Sequence, residues 1–373
     1  MSLKVLWLPS WYPTDDNPAT GSFFVEQSAA LARRGISVAV AYCDVRVKFN
    51  NNPELKIYTE NDVVNFISGK RNLTPFCEKG IRFQQGNMLI KLFPEILKRF
   101  GRPDVVHLHS CLLAEPAVRL CKKYGLPMAF TEHSSQVAFG KYKNELKKAL
   151  DFAEASSCVG QGLLDIIKGF SRDAALIPNM VNTGVFVPDG SEHEKFTFGA
   201  MGALRPHKGF DTLIRAFKLF SDSCDARLVI AGQGQEEEPL RRLIASLGLD
   251  EKVTLTGQIA RAEVPGFMNS LDCFVLSSVR EPFGVVIIEA LACGKPVIAT
   301  RSGGPEGIIN DKNGILVSAD DDKGMAAALE IMFHNRESYD GKAICGDCEN
   351  RFGENAVSDR IISMYKGITG NDT

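Results

Sequence analysis

Seven residues separate Glu281 from Glu289 in the stretch SSVREPFGVVIIEALACGKPVIA, 277–299. Glu281, Pro282, Phe283 and Gly284 read as a loop, and Val285–Ala292 as a helix. That helix is apolar on all sides, the mark of a buried one. A carboxylate inside it needs hydrogen-bond donors. Hydroxyl groups are such donors, and the free N–H groups at the helix start suit an anion. The plainer readings are a helix-capping Glu281 and a Glu289 satisfied by backbone. A second cluster, Gly202-Ala-Leu-Arg205-Pro-His-Lys208-Gly209, follows a strand and opens another helix. The helix dipole disfavours cations there. Arg205 as a fork and Lys208 as a point charge make sense around phosphate oxygens. In the first half, Gly21 lets backbone approach a phosphate, and His109 and His133 end two successive strands.

Together these patterns resemble the retaining glycosyltransferases of the GT-B fold in the large family 4 group. The E-x7-E pair matches directly. The glycine-opened stretch is similar to the family's G-R-L-x-x-x-K-G, with Ala203 where Arg is usual, so the phosphate role is transferred to Arg205; Lys208 matches. Ser10-Trp-Tyr-Pro with Gly21-Ser-Phe-Phe-Val-Glu-Gln is similar to the opening of capsule and exopolysaccharide members. Asn179, in Ile-Pro-Asn, resembles the segment leading into the second domain and is taken as structural. The resemblance implies that Glu281 binds donor-sugar hydroxyls and Glu289 the nucleotide ribose. Gly21, Gly202, Phe283, Gly284 and Val285 complete the donor contacts, and His133 faces the sugar. Arg205 and Lys208 would stabilise the departing diphosphate. His109 is placed on the acceptor side. His107 is assigned to the core, pointing away from His109. Front-face transfer with retention, without metal or other cofactor, is the implied reaction. Closure of the two domains would exclude water.

The elements that position these groups alternate between β and α. Strands are expected at Lys4–Leu8, Ser37–Tyr42, Asp104–Leu108, Pro127–Thr131 and Ser156–Val159. Helices are expected at Phe23–Arg34, around Ala114–Tyr124 and at Lys141–Lys148. Residues 44–87 give no clear element and leave room for an antiparallel excursion. The second half repeats the logic, with strands at Thr197–Met201, Arg227–Ala231, Val253–Thr256, Cys273–Leu276, Pro296–Ala299 and Gly314–Val317. Its helices are Gly209–Ser221, Pro239–Ser246, Val264–Ser270, Val285–Ala292 and Lys323–Asn335. Continuous apolar strands between helices indicate parallel sheets buried on both faces. The expectation is α/β: two doubly wound Rossmann-like domains facing a central cleft. Residues 1–180 form the acceptor domain, with the C-terminal helix 355–373 a possible part of it. The linker runs from Asn179 to Glu194, and residues 195–354 form the donor domain.

Forty-three Lys and Arg against 45 Asp and Glu give a net charge of −2 over 373 residues, the balance of a soluble globular chain. The total hides a basic first half and an acidic second half. A basic half suits an anionic or lipid-linked acceptor. Met88–Arg102 is amphipathic and basic, which fits an ordinary surface helix or a helix lying on an anionic membrane. No apolar run is long enough for a membrane span, and Met1–Trp11 does not read as a secretory signal. Ten scattered Cys fit reduced thiols, so the expected location is cytoplasmic, with peripheral contact at the inner membrane face as the second option. Nucleic acid is not an expected partner. Gly232-Gln-Gly234 lacks the third Gly of a dinucleotide site. Asp320-Asp-Asp322 reads as a helix cap. Cys345-x-x-Cys348, even with His334, is too few ligands for zinc. A nucleotide-sugar epimerase of the same architecture and a non-catalytic sugar-nucleotide binder stay open beside the transferase.

Overall fold

The structure is a computed structural model. It describes residues 2–14, 20–46, 54–71, 77–191, 194–222 and 224–370. The chain divides into two compact units. The first comprises Met1–Val159, Leu163–Pro178 and Val357–Thr373, and the second Gly160–Gly162 and Asn179–Ala356.

The first half supplies β1 (Lys4–Pro9), α1 (Ser22–Arg33), β2 (Ser37–Arg46), β3 (Glu54–Glu60), β4 (Val63–Arg71) and α2 (Glu78–Arg99). Next come β5 (Val105–His109), α3 (Ala114–Tyr124), β6 (Met128–Glu132), α4 (Ser135–Ala138), α5 (Lys143–Phe152), β7 (Ala155–Cys158), α6 (Gln161–Lys168) and β8 (Ala175–Leu176). The strands form one sheet in the order β3-β4-β2-β1-β5-β6-β7-β8. All neighbours are parallel except β3 and β4. That antiparallel pair is the excursion for which 44–87 leaves room. Its two-residue turn is Asn61-Asp62, both at positive φ (50° and 61°), as a tight hairpin that matches strand twist requires.

The second half supplies β9 (Phe196–Met201), α7 (Phe210–Ser221), β10 (Ala226–Ala231), α8 (Glu237–Ser246), β11 (Val253–Gly257), α9 (Val264–Asn269) and β12 (Cys273–Leu276). It continues with α10 (Val285–Ala292), β13 (Val297–Thr300), β14 (Gly314–Val317), α11 (Asp322–His334), α12 (Gly341–Phe352) and α13 (Glu354–Thr369). This sheet is parallel throughout, in the order β11-β10-β9-β12-β13-β14. The chain moves outward one way from β9, then returns to β12 and moves out the other way. The loops after β9 and β12 therefore diverge, leaving the crevice in which open α/β sheets bind ligands. One side of the sheet is closed by an aromatic core of Phe196, Phe198, Phe217 and Phe220 with Leu213, Leu228 and Met325.

α2 is longer than expected, and α4, α6 and α12 lie in stretches for which no helix is expected. α2 begins ten residues before Met88, because Gly86 does not break it. A Cβ on Gly86 would stand 2.8 Å from the Pro116 ring, so the glycine permits α2 and α3 to pack closely. The apolar side of α2, including Met88, Leu89, Leu92, Phe93 and Ile96, is buried in the fold. Phe83, nearer the start of the same helix, is 67% exposed. α12 carries Cys345 and Cys348 and fills a stretch read only for those cysteines; the Cys348 thiol donates to Ile288 O. Asp321 caps α11 by accepting from Gly324 N at 2.9 Å, and Asp322 pairs with Arg215. Among the described residues, no helix is long and apolar enough to cross a membrane.

Candidate functional site

In the second unit the two chemical stretches are joined through backbone. Val279 N donates to His207 O at 2.9 Å, and Ser277 Oγ donates to Lys208 O at 2.8 Å. Gly209 stands where they meet, at φ +63°, and a Cβ there would lie 2.2 Å from Ser277 O. Only glycine tolerates both that conformation and that contact. This juncture places Lys208 Nζ 2.7 Å from Glu281 Oε2, with the two side chains 25% and 14% exposed. The groups assigned to phosphate and to sugar are thus paired with each other across the β9/β12 divergence. Arg205 is exposed and makes no ion pair with another described residue. His207 beside it is held below the ordinary imidazole range by burial and by the charges of Lys208 and Arg205.

Gly284 precedes α10 at φ +99°. A Cβ there would stand 2.8 Å from Ile287 Cδ1, so the turn from Glu281 into the helix also requires glycine. Phe283 is buried, its ring 6.0 Å from that of Phe352, and packs into the core. Val285 is half-buried at the first helical position, where N–H groups lack helical partners. Gly202 is half-buried at the end of β9, and its carbonyl lies against Gly232, where a Cβ would be only 1.9 Å away. Glu289 is 2% exposed. Its Oε1 accepts from Arg261 Nη1 at 2.5 Å, so a side chain rather than backbone alone answers its charge. Arg261 escaped the sequence reading, since an ordinary loop residue after β11 carries no local mark. The loop Ser302-Gly303-Gly304 after β13 also went unread. Gly304 N donates to Glu281 O at 2.8 Å, and Glu281 N donates to Ser302 O at 3.0 Å, fixing the Glu281 backbone.

In the first unit, Gly21, His109 and His133 come together. Gly21 starts α1 at φ +77°, against Trp11. In the first turn the Phe23 ring lies tilted 5.5 Å from that of His133, and Phe24 meets His133 edge-on at 5.2 Å. His133 Nε2 lies 3.1 Å from His109 Nδ1. His109 is 1% exposed, so its assignment to an acceptor surface gives way to a supporting place beneath His133. His107 is in the core as expected, but on the same side as His109, with rings 3.9 Å apart. Residues two apart on a strand share a face, which corrects the reading that they diverge. Glu132 had no assigned role. It is fully buried, accepting from Cys111 N, His133 N and Ser134 N. Burial raises its pKa, and the backbone donors oppose that.

A chain of hydrogen bonds fixes the proton of His107. Trp7 Nε1 can only donate, and it does so to Tyr365 OH at 3.0 Å. The Tyr365 hydroxyl therefore gives its own proton to His107 Nδ1 at 2.6 Å. His107 is then neutral with its proton on Nε2, which donates to Thr131 Oγ1 at 2.7 Å. Thr131 passes its proton to Ser157 Oγ at 2.6 Å. Among the described residues His109 Nε2 has no partner. His109 Nδ1 and His133 Nε2 share one hydrogen bond at 3.1 Å, one ring donating to the other. Tyr365→Phe would strand Trp7 Nε1 and His107 Nδ1 at once. The expected cost is about 2–3 kcal/mol, measured by urea unfolding. Both tryptophans, Trp7 and Trp11, lie in this unit, so their fluorescence reports on it. A loss under about 0.5 kcal/mol would contradict the chain.

Burial, joined by repulsion from neighbouring imidazoles, holds His107 and His109 well below the ordinary range. In the unfolded chain they titrate near about pH 6.5. Below that pH the unfolded state takes up protons that the folded state refuses. Stability of this unit is therefore flat above about pH 7 and falls toward about pH 5. Two such groups give a limiting slope of about 2.7 kcal/mol per pH unit. Tryptophan-detected denaturation across that range measures it, and a flat profile would contradict the burial of two neutral imidazoles.

The chain matches two family models: Glycosyltransferase Family 4 over residues 20–185 and Glycosyl transferases group 1 over residues 186–356. It is 31% identical over 205 residues to the lipopolysaccharide core biosynthesis glycosyltransferase LpsD of Rhizobium meliloti, covering 53% of this chain and 58% of that one. It is 29% identical over 283 residues to a D-inositol 3-phosphate glycosyltransferase of Arthrobacter sp., covering 66% and 65%. The chain thus spans about three-fifths of the length of these curated relatives. Among solved structures, sucrose-phosphate synthase from Thermosynechococcus elongatus superposes with a TM-score of 0.81 at 19% identity, over 99% of both chains. Anabaena HepE in complex with UDP and glucose gives 0.75 at 18%, over 98% and 100%. At these identities the likeness is one of fold.

Proposed function

Because the chain belongs to the family 4 and group 1 glycosyltransferases and has the GT-B fold, we propose that it transfers a hexose from a nucleoside-diphosphate sugar to a glycan or lipid-linked acceptor with retention, in the synthesis of a surface polysaccharide. The observation that carries this reading is the Lys208–Glu281 pair at the β9/β12 divergence, beside the Gly284 start of α10. A cation and a carboxylate 2.7 Å apart offer opposite charges to the two ends of one diphosphate–sugar linkage. On donor binding, Lys208 turns to the diphosphate oxygens, and Glu281 is released to accept hydrogen bonds from sugar hydroxyls.

The α10 start and Arg205 add stabilisation where charge develops as the bond from C1 to the diphosphate breaks. The acceptor oxygen forms its bond to C1 on the same face, and its proton passes to the departing diphosphate. Glu281 forms no covalent bond. Glu289 binds the ribose, and the first unit, which holds His133, takes the acceptor. The UDP and glucose bound in HepE and the lipopolysaccharide core biosynthesis for which LpsD is named favour a sugar nucleotide and a surface glycan. No metal or organic cofactor enters this scheme.

Thermal-shift screening against UDP-, GDP- and ADP-sugars tests the donor, since a ligand of the folded state raises the melting temperature by mass action. One nucleotide class is expected to do so. Release of diphosphate should then depend on an acceptor, with the product's anomeric configuration by NMR matching the donor's. Conversion of the sugar nucleotide without an acceptor would overturn the transferase reading in favour of an epimerase. Donor binding without turnover against a broad acceptor panel would favour a binding protein.

A further inference from the structure

We propose that the helical face formed by α2, α3 and α5 docks on an anionic lipid bilayer, with Phe83 and Phe139 entering the headgroup layer. α2 packs on α3 through Gly86 and Pro116, and α3 packs on α5. The start of α5 is also tied to the start of α2. Tyr142 OH donates to Glu78 Oε2, and the Arg82 guanidinium lies 4.0 Å from the Tyr142 ring centroid. The three helices carry eleven Lys and Arg against five Asp and Glu. The rest of the first 180 residues hold twelve of each, so the basic excess of the first half sits on this face. Three of the five acids are already paired within it: Glu95 with Arg99, Glu115 with Lys148 and Asp151 with Lys147.

Along α2 the outward residues recur at helical spacing. Lys79, Phe83, Lys91, Pro94 and Lys98 are all exposed, over about 28 Å of helix axis. Lys79, Lys91 and Lys98 form no ion pair with another described residue. Phe83 is 67% exposed, and Phe139, three residues before Tyr142, is 37% exposed. No other phenylalanine is as exposed among the described residues. Lysines spread along a line this long meet a plane of negative headgroups, and wet aromatic rings beside them gain by entering its acyl boundary. The main apolar side of α2 is buried in the fold, so attachment rests on charge, with the two rings as anchors. Such attachment needs nothing from the donor site, and it would bring a lipid-linked acceptor to the unit that takes it.

Flotation of the full chain with vesicles of phosphatidylcholine, with and without phosphatidylglycerol, is the test. Binding is expected to the anionic vesicles only, and raising salt from about 50 to about 500 mM should release the protein. Replacing three lysines together, Lys79→Gln, Lys91→Gln and Lys98→Gln, should lower partition about 100-fold, at about fivefold per charge. Phe83→Ser with Phe139→Ser keeps every charge and should lower it about tenfold. Both variants should melt within about 4 °C of wild type, a control that holds whether or not a sugar nucleotide binds, so failure of the transferase reading leaves the flotation result intact. Equal flotation with neutral vesicles, flotation with neither, or full binding by the lysine variant overturns the proposal. A phenylalanine variant that floats like wild type overturns the entry of the rings. Capture of a short RNA without any binding to vesicles would give the face to a soluble polyanion and overturn the proposal as well.

Discussion

Lys208→Ala is expected to lower sugar transfer by about 10²–10³-fold, the loss typical of removing one preorganised group from developing negative charge. The variant removes the cation that sits 2.7 Å from Glu281. The two side chains are 25% and 14% exposed, enough for water to reach Glu281 once the lysine is gone, so the folding cost is about 1 kcal/mol. The melting temperature should therefore move by no more than about 4 °C for a unit of this size. Activity and stability are thus predicted to separate. Initial rates at saturating acceptor and a thermal melt measure both. A folded variant within about threefold of wild-type turnover would remove Lys208 from the mechanism.

Gly209→Ala should do the reverse, damaging the fold and the site together. Its φ of +63° costs a side chain about 1–2 kcal/mol. The new Cβ would also stand 2.2 Å from Ser277 O, a backbone atom that cannot rotate away. The loops after β9 and β12 must then separate, breaking the hydrogen bonds from Val279 N to His207 O and from Ser277 Oγ to Lys208 O. A loss of about 2–4 kcal/mol and a melting temperature lower by about 5–15 °C are expected. Donor binding should be lost even at temperatures where the variant remains folded. An alanine variant that binds donor normally would show that the two loops need not be locked together. Gly248, also at positive φ but with nothing near its Cβ, is the control: Gly248→Ala should carry only the conformational part of the cost.

Much of the architecture was legible because parallel strands announce themselves. Cys273–Leu276 and Gly314–Val317 are short apolar runs with turn residues on both sides, and they are strands with those bounds. The helix Val285–Ala292 was equally plain. What was not legible depended on partners distant in sequence. Gly86 reads locally as a helix breaker, and only the Pro116 ring facing it explains the glycine. The site divides in the same way. Glu281, Glu289, Lys208 and His133 carry marks in their own segments. Arg261 has none, because its meaning comes from Glu289, brought to it by the fold. Tyr365 is similar: on α13 it is one aromatic of an amphipathic helix, and only its bonds to Trp7 and His107 reveal a role. His107 differs for another reason: residues two apart on a strand share a face, so it lies beside His109.

The basic stretch within α2 shows how an amphipathic pattern is shared between two explanations. Its apolar residues are enclosed by the first unit, while Lys91 and Lys98 remain exposed. A positive surface remains on this helix, and any hold it has on an anion would rest on charge. Charge alone then makes any such attraction sensitive to salt.

The central claim is that Lys208 and Glu281 divide one donor between them, the lysine taking the diphosphate and the glutamate the sugar. Calorimetric titration of the sugar nucleotide and of its bare nucleoside diphosphate, against wild type, Lys208→Ala and Glu281→Gln, separates the two roles. Glu281→Gln should weaken the sugar nucleotide toward the affinity of the bare diphosphate and leave the latter unchanged, whereas Lys208→Ala should weaken both. Unaltered affinity for both ligands in both variants would contradict the account.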